Sequence, residues 1–460
     1  MGKILHYLYG IPPVRRGGLI DYALDLAEVQ RKEGYTVELL VPGTIWGRNK
    51  KSVRIKKKKY QQFNLYCIQN PLPIPMACGI RDIEWYTGNV GFEKYKKFLN
   101  KAKPDIIHIH SLMGIHESFF RAAKDLNIRI VYTSHDYFGI CPKTDLLKNE
   151  KVCEDEKWLN CKACCCKGFG TWHLILDQSF VMRLFMKQNY ALKVLQYVMQ
   201  IKANVLESKK NFAVEKENPS SNNIDYEKLR RYYCAIWEEI DFFHFNSNIA
   251  KDEFQKRIGS VKGAVIPICN KYCADHRKLR MHGQVVRIGY FANNSIHKGF
   301  YELKKVLDLL YKEGYHFKLN IYFSGETDKT EYIDEHAPYK RDELEEIYNQ
   351  NDVVVMPSLW KETYGLVALE ALSFGVPVIM SENVGAKILL EQNREPIGKI
   401  YENGIENLYS SIKQVLTEPD ILDQWNLNIC NSKIKFSMVE HVKEMMNKCY
   451  GGKYEEGKHD

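Results

Sequence analysis

The stretch PSLWKETYGLVALEALSFGVPVI, from Pro357 to Ile379, places two carboxylates, Glu362 and Glu370, around the point where an apolar run hands over to a helix. Glu362 falls in the loop and Glu370 about one turn into the helix that opens at Gly365. The first N–H groups of a helix lack intrahelical acceptors and sit at the positive end of its dipole, so those of Gly365, Leu366 and Val367 suit a diphosphate. A carboxylate in the loop can accept from hexose hydroxyls, and one a turn deeper from ribose hydroxyls. A second handover, Tyr290 to Gly299, brings Lys298 to the start of another helix. A cation there neutralises charge developing on a departing diphosphate. Taken singly, each of these residues has a bland reading: acids on a surface helix, a solvated lysine before a glycine.

Such residues act together only if regular elements deliver them to one edge, and the chain supplies those elements. Lys3 to Tyr9 reads as a strand, Gly17-Gly18 opens a helix with Leu19, Tyr22, Ala23, Leu26 and Val29 on one face, Gly34 ends it, and Thr36 to Val41 is the next strand. Asp105 to His110 and Arg129 to Ser134 read as strands around a helix from Glu117 to Leu126. The rhythm breaks from Cys141 to about Asp241 and returns with a strand at Phe242 to Asn246. A second series runs through Val286 to Phe291, a helix from Gly299 to Tyr311, Phe317 to Phe323, a helix from Arg341 to Gln350 and Asp352 to Met356. It ends with a helix from Leu366 to Phe374, stopped by Gly375 and Pro377, and the strand Val378 to Met380. Alternation of this kind predicts βαβ units in parallel sheets, where ligands gather beyond the carboxyl ends of the strands.

A length of 460 residues exceeds one ordinary core and predicts two domains. An apolar share of 45% excludes a disordered chain. MGKILHYLYGIPP reads as a first strand rather than a leader, and no apolar run reaches the roughly 18 residues of a membrane span, which predicts a cytoplasmic protein, soluble or peripheral at the inner face of the membrane. The net charge of +9 comes with no nucleic-acid recognition motif, so no nucleic-acid partner is expected.

The segment from Pro357 to Val378 resembles the Glu-x7-Glu region of family 4 glycosyltransferases, through Pro357-Ser358, Trp360, Glu362, Gly365, Leu366, Glu370-Ala371, Gly375 and Pro377-Val378. Gly17-Gly18 with Gly34-Tyr35-Thr36-Val37, Pro104 to His110, Thr133-Ser134-His135-Asp136 and His297-Lys298-Gly299 match the family's other landmarks in order. The resemblance implies the GT-B fold, two Rossmann-like doubly wound parallel-sheet domains facing across a cleft. It implies transfer of a hexose from a UDP- or GDP-sugar to a glycan or lipid-linked glycan, with retention of configuration and no catalytic metal. It assigns Glu362 to the donor hexose, Glu370 to the ribose, Lys298 to the diphosphate and His135 to the transferred sugar. His110 and Asp136 fall on the acceptor side, and Gly17 and Gly18 would let backbone approach the phosphates where a Cβ would clash. The family commonly carries an arginine just before Lys-Gly. Here Asn293 and Asn294 stand in that loop, able to hydrogen-bond a phosphate but uncharged, and His297 compensates only if protonated. That gap keeps a non-catalytic partner subunit in play, and another enzyme of the same fold, such as a nucleotide-sugar epimerase, is a separate alternative.

The expected layout is an acceptor-binding domain at 1–265 with a Cys-rich, helical insertion at about 141–240, a linker at 266–283, a nucleotide-sugar domain at 284–435, and a helix crossing back plus a frayed tail at 436–460. Among the 13 cysteines, Cys141, Cys153, Cys161 and Cys164 offer four thiolates for a structural zinc, with free thiols and disulfides as competing readings. The basic run from Arg48 to Lys59 reads as a solvated loop or as a contact with anionic lipid, helped by apolar residues after Trp172.

Overall fold

The computed structural model describes residues 2–46, 52–75, 79–88, 90–148, 151–166, 168–180, 182–183, 226–323 and 330–451. The expected helical stretch between Leu184 and Leu206, the polar loop from Asn218 to Asn223, Arg48 to Lys51 and the tail beyond Gly451 lie outside these residues.

The first half builds one sheet from β1 (Lys3–Tyr7), β2 (Thr36–Pro42), β3 (Arg54–Tyr60), β4 (Phe63–Gln69), β5 (Ile106–Ile109) and β6 (Arg129–Thr133). After a small hairpin, β7 (Leu147–Lys148) and β8 (Lys151–Val152), it is completed by β9 (Phe242–Phe245) and β10 (Gly263–Val265). The spatial order is β10-β9-β6-β5-β1-β2-β4-β3, parallel except for β3 against β4. The second half builds a parallel sheet from β11 (Val286–Tyr290), β12 (Phe317–Ile321), β13 (Ile333–Glu335), β14 (Val353–Met356), β15 (Val378–Ser381) and β16 (Gly398–Tyr401), in the order β13-β12-β11-β14-β15-β16. The central strands are near-continuous apolar runs, such as Val353-Val354-Val355, because helices cover both faces of each sheet.

The basic run corrects one expectation. Arg54–Tyr60 is an edge strand, antiparallel to β4, with Ile55 opposite Ile68 and Tyr60 opposite Phe63. Its exposed Lys56 to Lys59 stud the sheet's outer edge with charge, which discourages another strand from docking there.

The helix Met438–Lys448 leaves the second half and packs on the helix Gly18–Lys32 of the first. It buries Met438, Val442, Met445 and Met446, at about 1.5–3 kcal/mol for each side chain fully withdrawn from water. The chain therefore passes between the halves twice, at residues 266–285 and again near 432–437. Arg277 in the first crossing donates to the carbonyls of Ile429 and Ser432 beside the second, each at 2.9 Å, and lies over the Phe436 ring. Arg341 of the second half also pairs with Asp21 of the first at 2.6 Å.

Candidate active site

After β11 the chain runs through Phe291 to Ser295, makes one tight turn at Ile296–Lys298 and enters the helix Phe300–Lys312. The turn passes so near the end of β14 that a Cβ on Gly299 would lie 1.8 Å from the Pro357 carbonyl oxygen, and its φ of 75° is left-handed. Gly299→Ala is therefore expected to push the Lys298 turn off the Pro357 strand end. It adds left-handed strain of about 1–2 kcal/mol to a clash with rigid backbone, and a lowered urea midpoint would register both.

The loop after β14 carries Glu362. Its backbone is pinned by Glu362 N–H to Asn383 O (2.9 Å) and Gly385 N–H to Glu362 O (3.0 Å). One carboxylate oxygen accepts from Ser358 Oγ at 2.8 Å, and the other forms an ion pair with Lys298 Nζ. Lys298 Nζ also sits 5.2 Å from the centroid of the Trp360 ring, in the range of a cation–π contact. Three residues after Glu362, Gly365 stands at the N-terminal end of the helix Leu366–Ser373.

These parts open on a cavity of about 480 Å³ between the halves. Gly18, Leu19, His135 and Asn246 form its wall on the first half, and Asn293, Lys298, Glu362, Gly365, Leu366 and Val367 form much of the opposite wall. Phe291 lines it too, its ring stacked between Tyr322 (4.7 Å) and Tyr348 (4.9 Å). Thr363 fastens the two walls: its Oγ1 donates to His135 O at 3.0 Å, and its carbonyl accepts from Ser247 Oγ at 2.6 Å. Among the described residues lining the cavity, Lys298 carries the one fixed positive charge.

Most other residues expected in the site lie off the lining. Gly17 is one residue outside the lining, and its backbone φ of 138°, not crowding, sets its need for glycine. A Cβ on Gly18 would meet nothing of the protein nearer than Leu366 Cδ1 at 3.5 Å. Asn294 turns to a neighbouring hollow with Lys151, Tyr301 and Lys305. Glu370 does not face the cavity: its helix is buried along Ala368–Ser373, so the carboxylate takes internal partners, Asn270 Nδ2 at 3.0 Å and Tyr348 OH at 3.4 Å. Burial raises its pKa against the opposing pull of Arg341 and those donors. His110 is fully buried behind His135. Asp136 accepts from Ser111 Oγ and Phe138 N–H, both at 2.9 Å, and burial raises its pKa to about 6. Thr363, Asn246 and Asn270 escaped sequence reasoning, because nothing in their spacing marks them, and Ser358 falls within the matched motif without being given a role.

Two family models match the chain: "Glycosyltransferase Family 4" over residues 16–165 and "Glycosyl transferases group 1" over residues 275–429. The chain belongs to the family 4 glycosyltransferases. Among solved structures, Anabaena HepE in complex with UDP-glucose aligns with 98% of this glycosyltransferase and 100% of its own chain, at 12% identity and a TM-score of 0.55. WaaG, a glycosyltransferase involved in lipopolysaccharide biosynthesis, aligns with 98% and 100% at 14% identity and a TM-score of 0.53. At such identities these likenesses show the GT-B fold. An uncharacterized 42.6 kDa protein of a Klebsiella pneumoniae cps region is 35% identical over 57 residues, which is 12% of this chain and only 15% of that relative's length.

In the glycosyltransferase the Ile296–Lys298 turn carries no fixed positive charge besides Lys298. Burial and the adjacent Lys298 lower the pKa of His297, so it is neutral at physiological pH and does not replace the missing arginine. Asn293 Oδ1 is engaged by Ser295 Oγ at 2.5 Å. In the cysteine loop, burial pushes Cys141 up to about 11 and Cys165 to about 12, which keeps both as thiols. Cys164 donates to Leu147 O at 3.4 Å. No three of Cys141, Cys153, Cys161 and Cys164 bring their sulfurs mutually within 4.8 Å, so the four do not form a ready cage. No helix among the described residues is long and apolar enough to cross a membrane.

Proposed function

We propose that this glycosyltransferase moves a hexose from a UDP- or GDP-sugar to a hydroxyl of a glycan or lipid-linked glycan, with retention of configuration. The observation that carries the reading is the Lys298–Glu362 pair set at the mouth of the Leu366–Ser373 helix and facing His135 across the cavity. When a donor enters, the diphosphate takes Lys298 and the helix N-terminal N–H groups, and the freed Glu362 accepts from hexose hydroxyls. As the bond from anomeric carbon to phosphate oxygen breaks, charge builds on the diphosphate, where Lys298 meets it. The acceptor oxygen then closes on the anomeric carbon, and its proton passes to the departing diphosphate oxygen. A donor of this class is also what HepE carries, as UDP-glucose. Half-exposed Trp46, Trp172 and Phe180, the first and last stacked at 5.6 Å, support a lipid-linked acceptor.

A thermal-shift screen against UDP, GDP and their common sugar conjugates tests the proposal. Ligand at about 100 times Kd adds roughly 2.7 kcal/mol, which is readily seen. Stabilisation by one nucleotide class is the expected result, and silence with every nucleotide would sink the reading.

The transfer step uses no metal in this reading. Turnover is expected to survive excess EDTA, and strict dependence on added manganese would contradict this. A structural zinc on Cys141, Cys153, Cys161 and Cys164 would require their sulfurs to draw together. Elemental analysis of purified protein tests it: one zinc per chain, lost in Cys161→Ser, would establish the cage, and its absence would leave free thiols.

A further inference from the structure

A row of polar side chains crosses the first sheet beneath the C-terminal helix. His244 lies on β9, Thr133 on β6, His108 on β5 and His6 on β1, with His110 and His135 just past β5 and β6. All but His135 are fully buried. No Asp or Glu hydrogen-bonds to any of these rings among the described residues, so a proton added to the row would be an unpaired buried charge. Burial accordingly lowers His6 and His244 to about 4 and holds His108, His110 and His135 well below 6.5.

With neutral rings, the direction of every hydrogen bond follows from one end. The Ile266 carbonyl can only accept, so His244 Nε2–H donates to it at 2.8 Å. His244 Nδ1 must then accept from the Thr133 hydroxyl at 2.9 Å, and Thr133 in turn accepts from His108 Nε2–H at 2.7 Å. His108 Nδ1 accepts from Tyr450 OH at 2.6 Å, and that oxygen accepts from the Gln30 amide N–H at 3.1 Å. The Gln30 amide is thereby oriented, and its oxygen accepts from His6 Nε2–H at 2.7 Å. His6 Nδ1 accepts from His110 Nε2–H at 2.9 Å, and His110 Nδ1 from His135 Nε2–H at 3.3 Å. His6, His108 and His110 also cluster closely enough to suggest a metal, but each of their ring nitrogens already has a partner in this chain of bonds.

We infer that this one-way chain fixes the tautomer of His135, with Nε2 protonated and Nδ1 bare beside the cavity, so that His135 can only accept a hydrogen bond from the bound hexose. Gln30 and Tyr450, remote from the cavity, are positioning residues for that contact. What His135 meets rests on the proposed function; the tautomer itself does not.

The test uses the full chain labelled with 15N-histidine, the His135 signal being identified by its loss in His135→Gln. At neutral pH the ligand-free protein should show His135 as the Nε2–H form. Gln30→Met and Tyr450→Phe, the second removing a single oxygen, should shift it toward a mixture of tautomers. An Nδ1–H or doubly protonated His135 in the parent, or an unmoved signal in both variants, would overturn the inference. Calorimetry with UDP and UDP-glucose, or GDP and GDP-mannose if the screen selects guanine, supplies the functional arm. Tyr450→Phe should leave nucleotide affinity unchanged and reduce the sugar conjugate's advantage by about tenfold, one hydrogen bond's worth. An equal fall in both affinities would show a merely structural role. If the parent binds no nucleotide, the functional proposal fails, while the tautomer signals still decide the inference.

Discussion

Lys298→Ala is expected to lower the transfer rate by about a hundred- to a thousandfold, the usual cost of removing one group aimed at developing transition-state charge. The size of the effect follows from the isolation of this cation. No other fixed positive charge lines the cavity among the described residues, and His297 is held neutral. The substitution also leaves the Glu362 carboxylate with only the Ser358 hydroxyl, an acid facing the incoming diphosphate. Stability should fall modestly, by about 1–3 kcal/mol, because the largely buried Glu362 carboxylate loses its charged partner. Steady-state kinetics beside a thermal melt would separate the two quantities. Lys298→Arg should recover part of the rate, and an alanine variant within a few-fold of the parent would remove Lys298 from the mechanism.

A steep loss of stability on mild acidification is the second expected result. The buried histidines have folded pKa values below the ordinary 6.5: about 4 for His6 and His244, about 3 for His116 and His441. Below that ordinary value the unfolded chain binds protons that the folded chain refuses. Their contribution is therefore present above about pH 6.5 and is lost as pH falls toward 4, at roughly 1.4 kcal/mol per pH unit for each such group. Asp136 has the opposite sign, because its carboxyl is raised to about 6 and so favours the fold as pH drops through that range. Burial also raises Glu370, Asp25, Glu117 and Glu302, which act in the same direction as Asp136, but the larger set of buried histidines sets the balance. With total stabilities of about 5–15 kcal/mol, a fall of one to two pH units should unfold the protein, and urea midpoints at pH 7, 6 and 5 would follow the slope. Midpoints that stay level would mean that these rings are not buried neutral.

The central strands and the helices beside the site were legible because their cores are continuous apolar runs punctuated by glycine. Thus Gly34 closes the first helix and Gly375 the helix that carries Glu370. The edge was not: Arg54–Tyr60 looks polar because an outermost strand needs few apolar residues, and Ile55 and Tyr60 are too sparse to signal it. Within the site, Lys298, Glu362 and Gly365 stand where helix-start chemistry placed them. Glu370 lies off the cavity lining, since position along a helix does not tell which side faces a cleft when the whole helix is buried. Thr363 and Asn246 were invisible for a related reason: they matter through partners from distant parts of the chain, such as His135 and Ser134.

The paired crossings at residues 266–285 and 432–437 also determine how the cleft can move. Two tethers side by side, clipped together by the Arg277 guanidinium, define a line in space. Rotation about that line stretches neither tether, whereas twisting or sliding one half over the other would pull on both. The molecule is thus built to swing like a book on its spine. Arg341, which lies over the Tyr272 ring of the first crossing, grips Asp21 close beside that spine, and the Thr363–His135 contact is a further clasp between the two covers.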